Sequence, residues 1–117
     1  MILKGSGVSS GIITGRVRKI RSYKDVLRVG NGDVVVTNNN SPLFSLAFLK
    51  AGAIISEKGG LLSHLAIVAR EMSKPCVFNV KNALELLKSN EIIEVNGTKG
   101  EICTGKKNER RKNKNGV

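Results

Sequence analysis

His64 is the single histidine of the chain, and it follows the pair Gly59-Gly60 by four residues. Ser63 stands just before it, and an apolar run, Leu65-Ala66-Ile67-Val68-Ala69, comes after. Serine ahead of a helix-compatible run is an N-cap signal, so the imidazole is expected in the first turn of a helix. The first N–H groups of a helix have no partner inside it, and the helix dipole adds positive potential there. Such an end favours anions, phosphate among them. An imidazole with its lone pair available can attack phosphorus. The pattern therefore suggests the chemistry of a phosphohistidine. A lone histidine near a helix start is also commonly an ordinary surface or capping residue, and spacing alone does not choose between the two.

The residues around it carry a resemblance. Gly59-Gly60-Leu61-Leu62-Ser63-His64-Leu65-Ala66-Ile67-Val68-Ala69-Arg70-Glu71, followed by Lys74-Pro75-Cys76-Val77, resembles the swivelling phosphohistidine domain of phosphoenolpyruvate-utilising enzymes. That family includes phosphoenolpyruvate synthase, pyruvate phosphate dikinase, enzyme I of the sugar phosphotransferase system and rifampicin phosphotransferase. Its pattern runs Gly-Gly-x-Thr-Ser/Cys-His-x-Ala-x-x-Ala-Arg, with a proline a few residues on. Gly11, Gly15, Gly32-Asp33, Pro42, Ala51-Gly52, Asn96-Gly97 and Gly100 also match, so the likeness covers about residues 5–103. It departs at Leu62, where the family usually has threonine, and at Asn96, where an Asp-Gly turn is frequent. The resemblance implies an α/β fold of the swivelling β/β/α kind. It implies His64 as the catalytic residue, with Gly59, Gly60 and Ser63 next to the phosphoryl group. Ser63 is either a phosphoryl hydrogen-bond donor or simply the cap.

Several elements must position these residues. Asn31-Gly32-Asp33 reads as a turn and Val34–Thr37 as a short buried strand. Ser41-Pro42 opens a helix, with serine as cap and proline in the first turn, and Gly52 stops it. Ala53–Ser56 is the next strand, and its end runs straight into Glu57-Lys58-Gly59-Gly60. In open α/β folds ligand chemistry collects at the C-terminal ends of strands, so this is where a site is expected. Arg70 lies six residues after His64, about 240° round the helix at 100° per residue, and should not face the imidazole. Cys76-Val77-Phe78 reads as a strand. Asn82 with Glu85 suggests a capped short helix reaching Lys88. Strands are then expected at Glu91–Val95 and Glu101–Cys103, joined by a turn over 96–100. Ile12–Arg21 looks like a half-exposed basic strand. Gly5–Gly11 fails as a dinucleotide loop, since Ser10 holds the third glycine's place, and is expected to be a flexible entry turn.

At 117 residues the chain can build one domain with one core. It has no room for an ATP-binding domain or a phosphoenolpyruvate barrel as well. Cys76 and Cys103 form no CxxC pair, each sits in an apolar run, and buried free thiols are expected. One histidine and two scattered cysteines make no metal cluster. The N-terminus lacks a signal-peptide pattern, and no apolar run approaches membrane-spanning length, so a cytoplasmic protein is expected. Net charge is +11, of which +5 falls in residues 106–117. The expected organisation is a phosphohistidine swivelling domain over 1–105 and a basic disordered tail over 106–117. Deleting 106–117 should leave the melting temperature nearly unchanged, because the tail has almost nothing apolar to bury. A large fall on thermal denaturation would contradict this.

The function implied is that of a phosphocarrier. His64 would relay a phosphoryl group between a nucleotide site and a pyruvate or phosphoenolpyruvate (or other acceptor) site. Those sites, with Mg²⁺ and ATP or phosphoenolpyruvate, would lie on partners: a nucleotide-binding domain and a barrel domain. The chain itself should bind no cofactor and be inactive without them. Two other readings compete. One is a binding or regulatory module that kept the fold and lost transfer, which Leu62 favours. The other is a basic nucleic-acid-binding protein, favoured only by charge; one Tyr and three Phe offer little for bases to stack on. Neither nucleic acid nor membrane is expected as a partner.

Overall fold

The computed structural model describes residues 1–38, 42–60 and 63–105. The expected tail, residues 106–117, lies outside the described residues, as do Ser41, Leu61 and Leu62.

Three parallel strands carry the site. Strands β4 (Val34–Thr37), β5 (Ala53–Ser56) and β6 (Cys76–Phe78) are buried at every position. Unbroken β-branched and apolar runs suit strands covered on both faces, as parallel strands usually are. The long strand β3 (Ile12–Ile20) joins them through its second half, pairing Val17 with Val34 and Ile20 with Thr37 in parallel. Its first half pairs antiparallel with β7 (Ile92–Asn96), Ile12 opposite Asn96 and Arg16 opposite Ile92. One strand thus serves two halves of the sheet. The order across it is β1-β8-β7-β3-β4-β5-β6-β2, where β1 is Ile2–Lys4, β2 is Ser6–Ser9 and β8 is Glu101–Cys103.

Alternation along the strands divides the core in two. Ile20, Val35, Ile54, Cys76 and Phe78 face a helical layer, meeting Val26, Ala47, Phe48, Leu65, Ala66 and Ala69. Their neighbours Val17, Val34, Val36, Ala53, Ile55 and Val77 face the other way, against Ile93, Val95 and Ile102. The result is antiparallel sheet, then parallel sheet, then helices. This is the β/β/α layering that the resemblance implied. The helical layer contains α1 (Tyr23–Val26), a 3-10 segment (Pro42–Leu49) and α2 (His64–Glu71). The short helix α3 (Ala83–Leu86) packs Ala83 and Leu84 into the core between the sheet halves.

Several expectations need correction. Gly5–Gly11 is not an entry turn: Ser6–Ser9 is strand β2, antiparallel to β6, with a register shift between Gly7 and Ser9. Its pairing partner lies some seventy residues away in sequence, which local composition cannot reveal. The segment from Pro42 is a 3-10 helix, in which Ala47 and Phe48 are buried while Leu46 and Leu49 are exposed. The helix after Asn82 ends at Leu86 rather than Lys88, and Asn82 takes a left-handed conformation without capping through its side chain. Helix α1 was not foreseen, although Ser22-x-x-Asp25 is its signal. The Asp25 carboxylate accepts the Arg21 and Ser22 N–H groups at 2.8 and 3.1 Å. Those bonds, the first of them above all, hold it below the usual carboxylate range.

Both cysteines are free; Cys76 is fully buried and Cys103 partly so. Burial pushes the Cys76 thiol up from 9.0 to about 12. The stability gained by keeping it protonated is present below its ordinary value and is lost as pH rises through that window. Native chain treated with an alkylating reagent near pH 8 should therefore be modified at Cys103 first. Cys76 should react only with denaturant present, and mass mapping of the labelled peptides checks this.

Candidate functional site at the start of helix α2

The connection from β5 to α2 is braced from both sides. The Ser56 hydroxyl, fully buried, donates to the Lys58 carbonyl at 2.6 Å and accepts the Lys58 N–H at 3.2 Å. The Glu57 N–H donates to the Thr37 carbonyl at the end of β4, at 2.9 Å. The Glu57 carboxylate accepts the Leu84 N–H, also at 2.9 Å, and so ties the loop to α3. A short polar turn held at three points fixes the position of the glycine pair beyond it.

Gly59 and Gly60 differ. Gly59 has φ of +137°, a conformation that side chains disfavour, so the backbone itself asks for glycine there. A Cβ at Gly60 would meet nothing within 4 Å. Nothing among the described residues requires glycine at position 60. Both glycines line a cleft of about 340 Å³ with Ser6, Gly7, Phe78 and Asn79, between β2 and the C-terminal end of β6. Two of these lining residues are joined: the Asn79 amide donates to the Ser6 hydroxyl at 3.4 Å.

Ser63 is the N-cap of α2, with extended backbone and a hydroxyl that accepts the Ala66 N–H at 3.3 Å. Its own N–H donates to the Gly60 carbonyl at 3.0 Å, and its carbonyl accepts the Ile67 N–H at 3.1 Å. These bonds close the first turn on the glycine loop. His64 is the first residue of the helix, and it is exposed. Leu65, Ala66 and Ala69 anchor the helix in the core, whereas Ile67, one turn beyond His64, is 48% exposed. The run 65–69 is apolar throughout, yet only part of it is buried. Burial on one stripe only is what a helix lying on a sheet allows.

Arg70 does not line this cleft. Its Nε donates to the Val8 carbonyl of β2 at 3.0 Å, where the register shift interrupts the ladder. The sequence reading places Gly59 and Gly60 on the β5–α2 connection, Ser63 at its end as N-cap and His64 in the first turn of α2, as the structure has them. The braces at Ser56 and Glu57 went unread, since the two are legible only as polar residues at the end of a strand. So did β2 and Asn79, which reach the site through the fold. No group of three or more His, Cys, Asp or Glu side chains among the described residues is placed to hold a metal ion. No helix among them is long and apolar enough to cross a membrane.

The family model described as "PEP-utilising enzyme, mobile domain" matches residues 29–100, which include the whole β5–α2 connection. The chain belongs to this family. A probable phosphoenolpyruvate synthase of Methanothermobacter thermautotrophicus is 37% identical over 105 residues, covering 90% of this chain and 15% of the relative. The phosphoenolpyruvate synthase of Pyrococcus furiosus is 41% identical over 105 residues, with 90% and 13% covered. The rifampicin phosphotransferase of Bacillus subtilis is 40% identical over 98 residues, with 84% and 11% covered. The mobile domain thus spans only a small fraction of each of these relatives. Among solved structures, an enzyme I solution structure superposes with a TM-score of 0.61 at 23% identity, over 76% of this chain and 38% of that one. A UPF0107 protein gives 0.68 at 15% identity, over 90% and 99%. At such identities these two speak for the fold alone.

Proposed function

We propose that this mobile domain is a phosphocarrier and that His64 is the residue that carries the phosphoryl group. An imidazole nitrogen attacks the donor phosphorus, an N–P bond forms, and the P–O bond to the leaving group breaks. The carrier then presents the phosphoramidate to an acceptor oxygen, and the N–P bond breaks as a new P–O bond forms. The donor is a nucleotide or phosphoenolpyruvate, and the acceptor pyruvate or another hydroxyl-type oxygen, each held by a partner domain together with Mg²⁺. Phosphoryl transfer depends chiefly on positioning and charge stabilisation. What this chain supplies is the positioning: an exposed side chain on the first turn of a helix anchored at Leu65, Ala66 and Ala69. Ser63, besides capping, retains a hydroxyl proton that can be offered to a phosphoryl oxygen.

The observation that carries the proposal is the chain's single histidine, exposed at a helix start that closes on Gly59-Gly60, inside the matched family segment. The test is to mix the full chain with its cognate nucleotide-binding domain and labelled ATP, or its barrel domain and labelled phosphoenolpyruvate. One phosphoryl group per chain is expected, lost in acid and kept in base, with none acquired when the partner is left out. A second reading, a binding module without transfer, is favoured by Leu62 in place of the family threonine. It predicts tight association with the partner and no label.

Gly60 offers a separate check. A Cβ there meets open space, so Gly60→Val should shift stability by no more than about 0.5 kcal/mol. If a partner must approach the backbone beside His64, the same change should cut the transfer rate at least about tenfold. Parallel melting curves and transfer rates decide it; equal loss of folding and transfer would count against close approach.

A further inference from the structure

A second cleft, about 470 Å³, opens at the other end of α2, between that helix, β2 and the turn after β7. Its lining includes Arg70, Ser9, Ser10, Ser73, Gly97 and Thr98, and no acidic side chain among the described residues. We infer that this cleft binds a small oxyanion, phosphate or carboxylate, with Arg70 as its charged anchor. The volume falls in the range of small-molecule sites, and the hydroxyls of Ser9, Ser10, Ser73 and Thr98 with one guanidinium give the lining hydrogen-bond donors and positive charge, which an anion needs.

Three further observations support this. Arg70 is held in place, because its Nε donates to the Val8 carbonyl at 3.0 Å. A guanidinium already held in place loses less freedom on meeting an oxyanion, and its positive charge suits both carboxylate and phosphate. The Thr98 hydroxyl accepts the Gly11 N–H at 3.0 Å, which leaves its own proton to be donated elsewhere. The C-terminal end of a helix would ordinarily repel an anion. Here three of the last four carbonyls of α2 are occupied: Val68 by the Met72 N–H, Ala69 by the Lys74 N–H and Arg70 by the Ser73 N–H, at 2.9, 2.9 and 3.1 Å. The lining is drawn from β2, the end of α2 and the β7–β8 turn, so the site exists only in the folded chain. It stands whether or not His64 is phosphorylated.

The test uses the full chain, labelled with ¹⁵N and titrated with inorganic phosphate in one arm and acetate in the other at constant ionic strength. Saturable shifts at Ser10, Arg70, Ser73 and Thr98 are expected, and whichever probe binds more tightly names the anion. Arg70→Gln should weaken binding at least about tenfold, since a charge-assisted pair is lost. Ser10 is exposed, so Ser10→Asp should fold even if the Arg70 variant does not, and its carboxylate should repel the probe to a similar extent. His64→Ala should bind as the parent does. The inference is overturned if neither probe gives saturable shifts in the cleft, if shifts centre elsewhere, or if Ser10→Asp binds as well as the parent.

Discussion

His64→Ala should reduce phosphoryl acceptance from a cognate partner to background while leaving the chain folded. The side chain is exposed on the first residue of α2, and the core beneath it is made by Leu65, Ala66 and Ala69. Alanine is a good helix former, and removing an exposed side chain ordinarily changes stability by less than about 0.5 kcal/mol. Loss of the only imidazole, in contrast, removes the only nitrogen nucleophile of that type in the chain. The expected record is a melting curve that overlays the parent and an acid-labile label that has disappeared. Label persisting on the variant, or an acid-stable ester on Ser63, would place the chemistry elsewhere. Failure of this prediction would leave the oxyanion cleft around Arg70 untouched, because that cleft is read by anion titration and not by transfer.

Gly97→Val should be the more damaging change to the fold. A Cβ at Gly97 would come within 2.0 Å of the Ser9 carbonyl oxygen and 2.9 Å of the Cys76 backbone nitrogen. Both obstacles are backbone, so relief requires β2 or β6 to move. The Gly97 N–H also donates to the Gly11 carbonyl at 2.8 Å, a bond that depends on the same close approach. Overpacking of this kind costs on the order of 3 kcal/mol, a large share of a small domain's stability. Denaturant melts of the two glycine variants, Gly60→Val and Gly97→Val, should therefore separate clearly. Similar midpoints for both would show that the β7–β8 turn can give way. The contrast matters for reading any glycine in this chain: one is demanded by its own fold, the other by nothing described within it.

Much of this was legible locally. Val34–Thr37, Ala53–Ser56 and Cys76–Phe78 were recognised at their observed bounds because parallel strands buried on both faces are unbroken β-branched or apolar runs. Ser63 before an apolar stretch marked the start of α2 for the reason it caps it: a short hydroxyl accepts a first-turn N–H. The motif around His64 pointed to the family by residue identity. What depended on tertiary structure was everything joined across long sequence distances. The pairing of β2 with β6, the two-sided use of β3 and the brace from Glu57 to Leu84 each join segments whose nearness no local pattern encodes. The 3-10 segment was read as an ordinary helix because capping and turn signals are shared by both helix types. Arg70 shows the division most plainly. Its helical angle excluded it from the imidazole's face, but only the bulge at Val8, sixty-two residues away, decided what it holds instead.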